Sequence, residues 1–243
     1  MKRAMSIWDR LGEFITRVSS SASSGVADVV EAVRTVFSGD ADLRRRVAFS
    51  VAMIALSAKM AKADGIVTQD EVRAFQEIFE VPPKETRNVA RLFDLAQRDV
   101  AGFETYAERM AQLCGSGHSN CVMLEDILDG LFHIAKADGG VHEAEIAFLK
   151  SVANIFGLDE NDFARLREGH LGPDKADPYT ILGTNRMASN EEIKQAWRKL
   201  VRDTHPDKLI AQGLPHEFVE LANEKLATIN AAYDKVAKER GIH

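Results

Sequence analysis

Arg202-Asp203-Thr204-His205-Pro206-Asp207-Lys208 stands between two amphipathic helical patterns, and its reading decides the fold of the last quarter of the chain. Upstream, Ser189-Asn190-Glu191-Glu192 has the form of a capping box. The serine hydroxyl accepts from the third helical N–H, and the glutamate reaches back to the cap. Ile193, Trp197, Leu200 and Thr204 then recur at three or four residues, one apolar stripe of a helix facing a core. Lys194, Arg198 and Arg202 lie four apart on another face, with Lys199 close by. The helix must stop near Thr204, because His205 precedes a proline and such residues avoid the αR region. Downstream, Leu214-Pro215 suits a helix start. Phe218, Leu221, Ala222, Leu226, Ile229, Tyr233 and Val236 continue at helical spacing. Two such helices joined by a short loop predict an antiparallel hairpin with His205 and Asp207 exposed at the tip.

Four blocks carry a resemblance across roughly Asp177 to Val236. They are Asp177-Pro178-Tyr179-Thr180-Ile181-Leu182-Gly183, Ile193-Lys194-Gln195-Ala196-Trp197-Arg198-Lys199-Leu200, His205-Pro206-Asp207, and Ile229-Asn230-Ala231-Ala232-Tyr233-Asp234-Lys235-Val236. In this order and spacing the segment resembles the J domain of the DnaJ (Hsp40-type) co-chaperones. Trp197 stands where a tyrosine is common, a swap that keeps an aromatic anchor. The tail Ala237-Lys238-Glu239-Arg240-Gly241 is too short for a full fourth helix.

The resemblance implies docking on a DnaK-type (Hsp70-family) chaperone and stimulation of its ATP hydrolysis, an allosteric role and not an enzymatic one. It makes His205, Pro206, Asp207, Lys194, Arg198, Lys199 and Arg202 the candidate partner-binding residues, with no catalytic residues. The physics agrees: a cationic helix face complements an acidic surface and fixes register. Pro206 fixes φ and removes a donor. Asp207 offers a carboxylate to an arginine of the partner, a charge-assisted bond. A His-Asp general-base dyad is the rival reading, but no Ser, Cys or glycine-rich phosphate cradle accompanies the pair. Residues 177–243 hold ten Lys and Arg against ten Asp and Glu, so no basic excess points to nucleic acid.

At 243 residues the chain suits two domains or one large helical one. A formal charge of −6 argues against a general polyanion binder. No apolar run approaches the roughly 20 residues that span a bilayer. The longest, Val47 to Ala58, fits a buried helix, and no signal peptide is evident, so the expected location is cytoplasmic. Cys114 and Cys121 flank His118, three candidate zinc ligands without a fourth; two reduced thiols are the expectation.

From about Asp42 to Glu168 the chain reads as helical and contains a repeat. Lys59-Met60-Ala61-Lys62-Ala63-Asp64-Gly65-Ile66-Val67, leading to Asp70-Glu71-Val72, is echoed by His133-Ile134-Ala135-Lys136-Ala137-Asp138-Gly139-Gly140-Val141, leading to Ala144-Glu145-Ile146. Each copy reads as helix, Asp-Gly turn, helix, the glycine supplying positive φ. The spacing imitates the back half of an EF-hand loop. The front half would place Met60 and Lys62, or Ile134 and Lys136, at ligand positions, and these cannot bind calcium.

The repeat resembles the TerB-like helical domain, named for tellurite-resistance proteins, and the whole order resembles DjlA-type co-chaperones, with an implied part in the stress response. The resemblance makes Asp64, Glu71, Asp138 and Glu145 matching acidic positions. Converging turns would gather four carboxylates into a candidate divalent-cation site. The alternative, and the favoured one, is that each acid serves its own turn and the N-terminus of the following helix.

At the N-terminus, Ile7, Trp8, Leu11, Phe14, Ile15 and Val18 form one apolar stripe, and Val26, Val29, Val30, Val33, Val36 and Phe37 form a second. The linker-like Ser19-Ser20-Ser21-Ala22-Ser23-Ser24-Gly25 lies between them. DjlA-type proteins often carry a membrane-spanning segment here; this chain shows none. The first helix can lie on a membrane surface, dock on a partner or pack on its own domain.

The expectation is therefore an all-α protein. Residues 1–38 are amphipathic helices with a Ser-rich linker, 39–168 a TerB-like helical bundle, 169–176 a linker, and 177–243 a J domain. The expected function is that of a co-chaperone whose TerB-like part is a targeting or interaction module. No Gly/Phe-rich segment or cysteine repeat follows, so general substrate holding is not expected. The alternative is a TerB-like metal-responsive or scaffold protein whose J domain only docks.

Overall fold

The structure is a computed structural model whose description covers residues 41–64, 73–75, 86–98, 102–113, 122–172, 175–211 and 218–242. Among these residues every regular element is a helix. The N-terminal stripes and Ser-rich run, the Cys114–Cys121 segment, Glu71 and the Leu214-Pro215 start all lie outside the described residues, as does the Asp64 side chain.

The apolar run at Val47 to Ala58 becomes the centre of the front bundle. Helix α1 (Ala41–Asp64) is buried around its whole circumference from Phe49 to Ala61, including Ser50, Ser57 and Lys59. A helix apolar on all sides has to be enclosed on all sides. It packs against α2 (Thr86–Arg98), α3 (Phe103–Leu113), α4 (Val122–Ala135) and α5 (Glu143–Phe156). Lys59, within this core, places its ammonium 5.1 Å from the centre of the Tyr106 ring.

The second copy of the repeat folds as its sequence implied. α4 ends at Ala135, Gly139 adopts φ 116°, and α5 starts after His142. Gly157, at φ 75°, ends α5, and α6 (Glu160–His170) begins behind an Asp159 cap that accepts from the amides of Asn161 and Asp162. Gly169 and His170 differ from expectation: the glycine punctuation predicted a linker from residue 169, yet α6 runs through both. The reason is His170, whose Nε2 lies 3.0 Å from the Asp129 carboxylate of α4 and whose ring stacks on Phe132. That pairing rewards another helical turn.

The C-terminal unit opens with α7 (Pro178–Ile181), capped by Asp177 and ended by Gly183 at φ 63°. In α8 (Asn190–Thr204) the capping box forms as read. Ser189 N donates to Glu192 Oε2 at 2.7 Å, and Glu192 N donates to Ser189 Oγ at 3.3 Å. The Ser189 amide, together with the Ser189 hydroxyl that donates to the same Oε2 at 2.8 Å, holds the Glu192 carboxyl below its ordinary range. α8 stops at Thr204, and His205 is extended at φ −60°, ψ 127°, as a residue before proline should be.

One expectation needs correction here. The segment after His205 is not a plain loop: Pro206 opens a short helix, α9 (Pro206–Ala211), for which proline is well suited at the first position. The tail, read as too short for a full fourth helix, is the end of α10 (Val219–Arg240), which continues through it to a Gly241 cap at φ 64°.

Arg240 supplies the reason for that length. Its Nε donates to the Tyr179 hydroxyl at 2.9 Å, one Nη to Ala188 O at 2.7 Å and the other to Arg186 O. One side chain thus ties the end of the chain to α7 and to the turn before α8. Arg240→Ala is expected to lower stability by about 2 kcal/mol, read as a lower urea midpoint. Arg240→Lys should recover only part, since an ammonium lacks the planar fork. An unchanged midpoint in Arg240→Ala would remove the tie.

Two cores result, and α10 belongs to both. Ile229, Ala232 and Val236 pack with Ile193, Tyr179 and Leu182 in the C-terminal core, with Trp197 stacked on Tyr233 at 4.2 Å and donating to Asn230 Oδ1. Phe218, Leu221 and Ala222, at the start of the same helix, join the front core together with Leu209 of α9. A single apolar stripe therefore serves two partners in succession.

Candidate partner-docking site

His205, Pro206 and Asp207 sit where α8 turns into α9. The His205 carbonyl accepts from the amides of Lys208 at 2.9 Å and Leu209 at 3.1 Å, which closes the first turn of α9 directly over the motif. The Asp207 amide lies 3.3 Å from His205 Nδ1, and the Asp207 carboxylate is 3.9 Å from the same nitrogen. Both side chains nevertheless face outward, with 52% and 89% of their surface exposed. A Lys208–Asp203 ion pair spans the bend on its other side. Arg198, Lys199 and Arg202 are exposed along α8 and Lys194 is half-buried. A cationic helix face thus leads into an exposed imidazole and carboxylate set on a short, proline-started helix.

Of the four acidic positions of the front repeat, Asp138 and Glu145 lie within the described residues, whereas Glu71 and the Asp64 side chain lie outside them. Glu145 is buried and its Oε2 accepts from the His142 amide at 2.8 Å, a capping role at the start of α5. Asp138 faces the His142 ring at 3.5 Å. Among the described residues, no three His, Cys, Asp or Glu side chains gather so as to hold a metal ion.

Sequence reading missed a different cluster, which joins the two units. Glu125, Asp126 and Asp129 of α4 surround Lys225 of α10, with Nζ–O distances of 3.2, 3.5 and 4.0 Å. Arg165 of α6 contacts Glu125 at 3.0 Å, and His170 contacts Asp129. Lys225 keeps 12% of its side-chain surface and Arg165 11%.

Burial pushes each carboxyl up, and the cations decide the outcome. Lys225 and Arg165 outweigh burial at Glu125 and hold it at about 2. Lys225 and the His170 bond outweigh it at Asp129, which lies well below the usual range. At Asp126 burial prevails over Lys225, reinforced by Glu125 and Asp129, and the group rises to about 7. Three carboxylates share the charge of Lys225 and Arg165, and Asp126, lacking a second cation, is the one that keeps a proton. Burial lowers Lys225, but Asp129, Glu125 and Asp126 more than restore it, so it stays charged.

The only sequence trace of this cluster was three acids in the otherwise apolar stretch Val122–Ala135. Their cation lies a hundred residues away.

Known proteins match this arrangement part by part. The model for "Tellurite resistance protein TerB" matches residues 50–168, and the "DnaJ domain" model matches 177–240. The "Co-chaperone protein DjlA" of Photobacterium profundum is 31% identical, over 82% of this chain and 80% of that protein. The protein of the same name from Shewanella oneidensis is 32% identical, over 84% and 82%. The chain belongs to the DjlA co-chaperone family. The DjlA of Vibrio vulnificus is 29% identical, over 84% of this chain and 82% of its own length. No solved structure matches. The chain is thus a co-chaperone of all-α build, a TerB domain followed by a J domain. Among the described residues, no helix is long and apolar enough to cross a membrane.

Proposed function

We propose that this DjlA-family chain docks through its J domain on a DnaK-type Hsp70 chaperone and stimulates its ATP hydrolysis. The TerB domain serves as the targeting or interaction module. The observation that supports this most directly is the division of faces on the J domain. Leu209 of α9 and Phe218, Leu221 and Ala222 at the start of α10 face the TerB core, while His205, Asp207, Arg198, Lys199 and Arg202 remain exposed. A docking surface needs such a free, charged face, and complementarity to an acidic partner surface would raise the encounter rate and fix the register. The partner's ATPase does the chemistry; this chain contributes binding energy to one of its conformational states. Cytoplasmic residence belongs to the same reading and is checked by protease protection in intact cells.

The test is single-turnover ATP hydrolysis by a DnaK-type chaperone with wild-type chain and with His205→Gln. Wild type should accelerate hydrolysis by tenfold or more, an allosteric coupling of about 1.4 kcal/mol or greater. His205→Gln should give the unstimulated rate with an unchanged melting midpoint, because the ring is half-exposed and outside both cores. Equal stimulation by the two proteins would overturn the assignment of the motif. No stimulation by wild type would overturn the function.

A further inference from the structure

The motif hangs between two cores, and that arrangement has consequences for its activity. On one side, α8 is held by the J-domain core through Ile193. On the other, α9 has six residues, and a helix so short has no stability of its own. What fixes it is Leu209, 2% exposed, in the core that contains Phe218 and the TerB helices.

Phe218 enters the TerB domain edge-on. Its ring centre is 4.4 Å from that of Phe49 in α1 with the planes at 82°. Gly130 in α4 lies against it: a Cβ there would stand in ordinary contact with Phe218 Cε1 at 3.5 Å and would meet the flexible end of Met53, Cε, at 2.8 Å. A larger side chain at 130 would therefore press on both Met53 and the Phe218 ring. Seven residues further along α10, Lys225 is fixed among the α4 carboxylates. The start of α10 is thus pinned to the TerB domain by an aromatic contact and by an ion cluster, and neither involves the exposed docking face.

We propose that the TerB domain is a positioning element of the J domain: through Phe218, Leu209 and Lys225 it holds the backbone of His205-Pro206-Asp207 in one orientation. The inference rests on the reading that this motif acts on an Hsp70 partner. A motif held in its binding conformation loses less freedom on docking. If release from the TerB domain leaves a tenth of the molecules competent, apparent affinity falls tenfold while the rate at saturation stays the same.

The experiment has two arms on the full chain. In the first, hydrogen exchange of the wild-type protein reads the Leu209 amide, which donates to the His205 carbonyl. It should be protected as strongly as the amides of α8, whereas exchange at the rate of a frayed terminal turn would overturn the proposal with no variant needed. In the second, the single-turnover assay is titrated with wild type, Phe218→Ala, Phe218→Met and Gly130→Leu. Phe218→Ala, and Gly130→Leu as a wedge lying wholly within the TerB domain, should raise the half-saturating concentration about tenfold at unchanged maximal rate, and Phe218→Met should restore most of it. Wild-type titration curves from folded Phe218→Ala and Gly130→Leu proteins would overturn positioning. Absence of stimulation by wild type itself would instead count against the function, and the exchange arm would still decide whether the motif is held.

Discussion

Lys225→Met should lower the stability of the chain by about 3 to 5 kcal/mol, the cost of removing one partner from a buried ion cluster. Methionine keeps most of the side-chain volume, so the change is one of charge. Glu125, Asp126 and Asp129 would lose the cation they share, and Arg165 and His170 remain to answer three buried carboxyls. In a domain of this size each kcal/mol moves the melting midpoint by about 2 to 4 °C, so a fall of about 10 °C is expected at pH 7.

Part of the loss should be recovered below pH 5, where carboxylates left without the cation take up protons. Lys225→Met combined with Asp126→Leu should be less destabilising than the sum of the two single changes, a coupling that a double-mutant cycle measures. The control is Lys150, whose pair with Glu160 is 47% and 74% exposed. Lys150→Met should change stability by no more than about 1 kcal/mol. A Lys225→Met protein that melts with wild type would mean that the cluster does not join the two domains.

The contrast between those two lysines explains how much of the molecule was legible in the sequence. Ser189 and Glu192 could be read because a capping box is local: donor and acceptor lie three residues apart. The stop at Thr204 and the Gly139 turn were likewise local, set by a proline and by a positive φ. The proposed docking residues His205, Asp207, Arg198 and Arg202 lie in one contiguous stretch, which the J-domain resemblance marked without tertiary information.

Lys225 offered no such sign. On α10 it sits beside an apolar stripe that runs unbroken from Phe218 to Val236, and spacing cannot reveal that the first third of the stripe enters another domain's core. Its carboxylates lie at a separation where only packing fixes the pairing. His170 was misplaced for the same reason: local punctuation by glycine read as linker, and a tertiary contact with Asp129 overrode it.

Asp126→Asn should reverse sign with pH, which no other single change in the cluster is expected to do. The groups that act on Asp126 are Lys225 from α10 and Glu125 and Asp129 on its own helix; Arg165 and His170 from α6 pair with those two carboxylates instead. Its carboxyl rises from 3.8 to about 7 on folding, so the folded state binds the proton more tightly than the unfolded one. Stability from this group is therefore complete below about pH 4 and is lost as the pH rises to about 7.

Glu125 works in the opposite sense. Lowered from 4.5 to about 2, it contributes stability above pH 4.5 that is lost as the pH falls through about 2. Asp129, also lowered, acts in the same direction. Together they give a stability maximum near pH 4, the acid flank set by Glu125 and Asp129 and the alkaline flank by Asp126. Asparagine at 126 remains neutral throughout. The variant should match or fall slightly below wild type at pH 5, where Asp126 is protonated and can donate. At pH 8 it should be more stable by about 2 to 4 kcal/mol, the wild-type protein then carrying a third buried carboxylate against Lys225 and Arg165. Melting midpoints of both proteins from pH 4 to 9 make the comparison. Parallel curves across pH 5 to 8 would show that Asp126 titrates as an ordinary surface acid, and its description as the carboxyl that keeps a proton would fail.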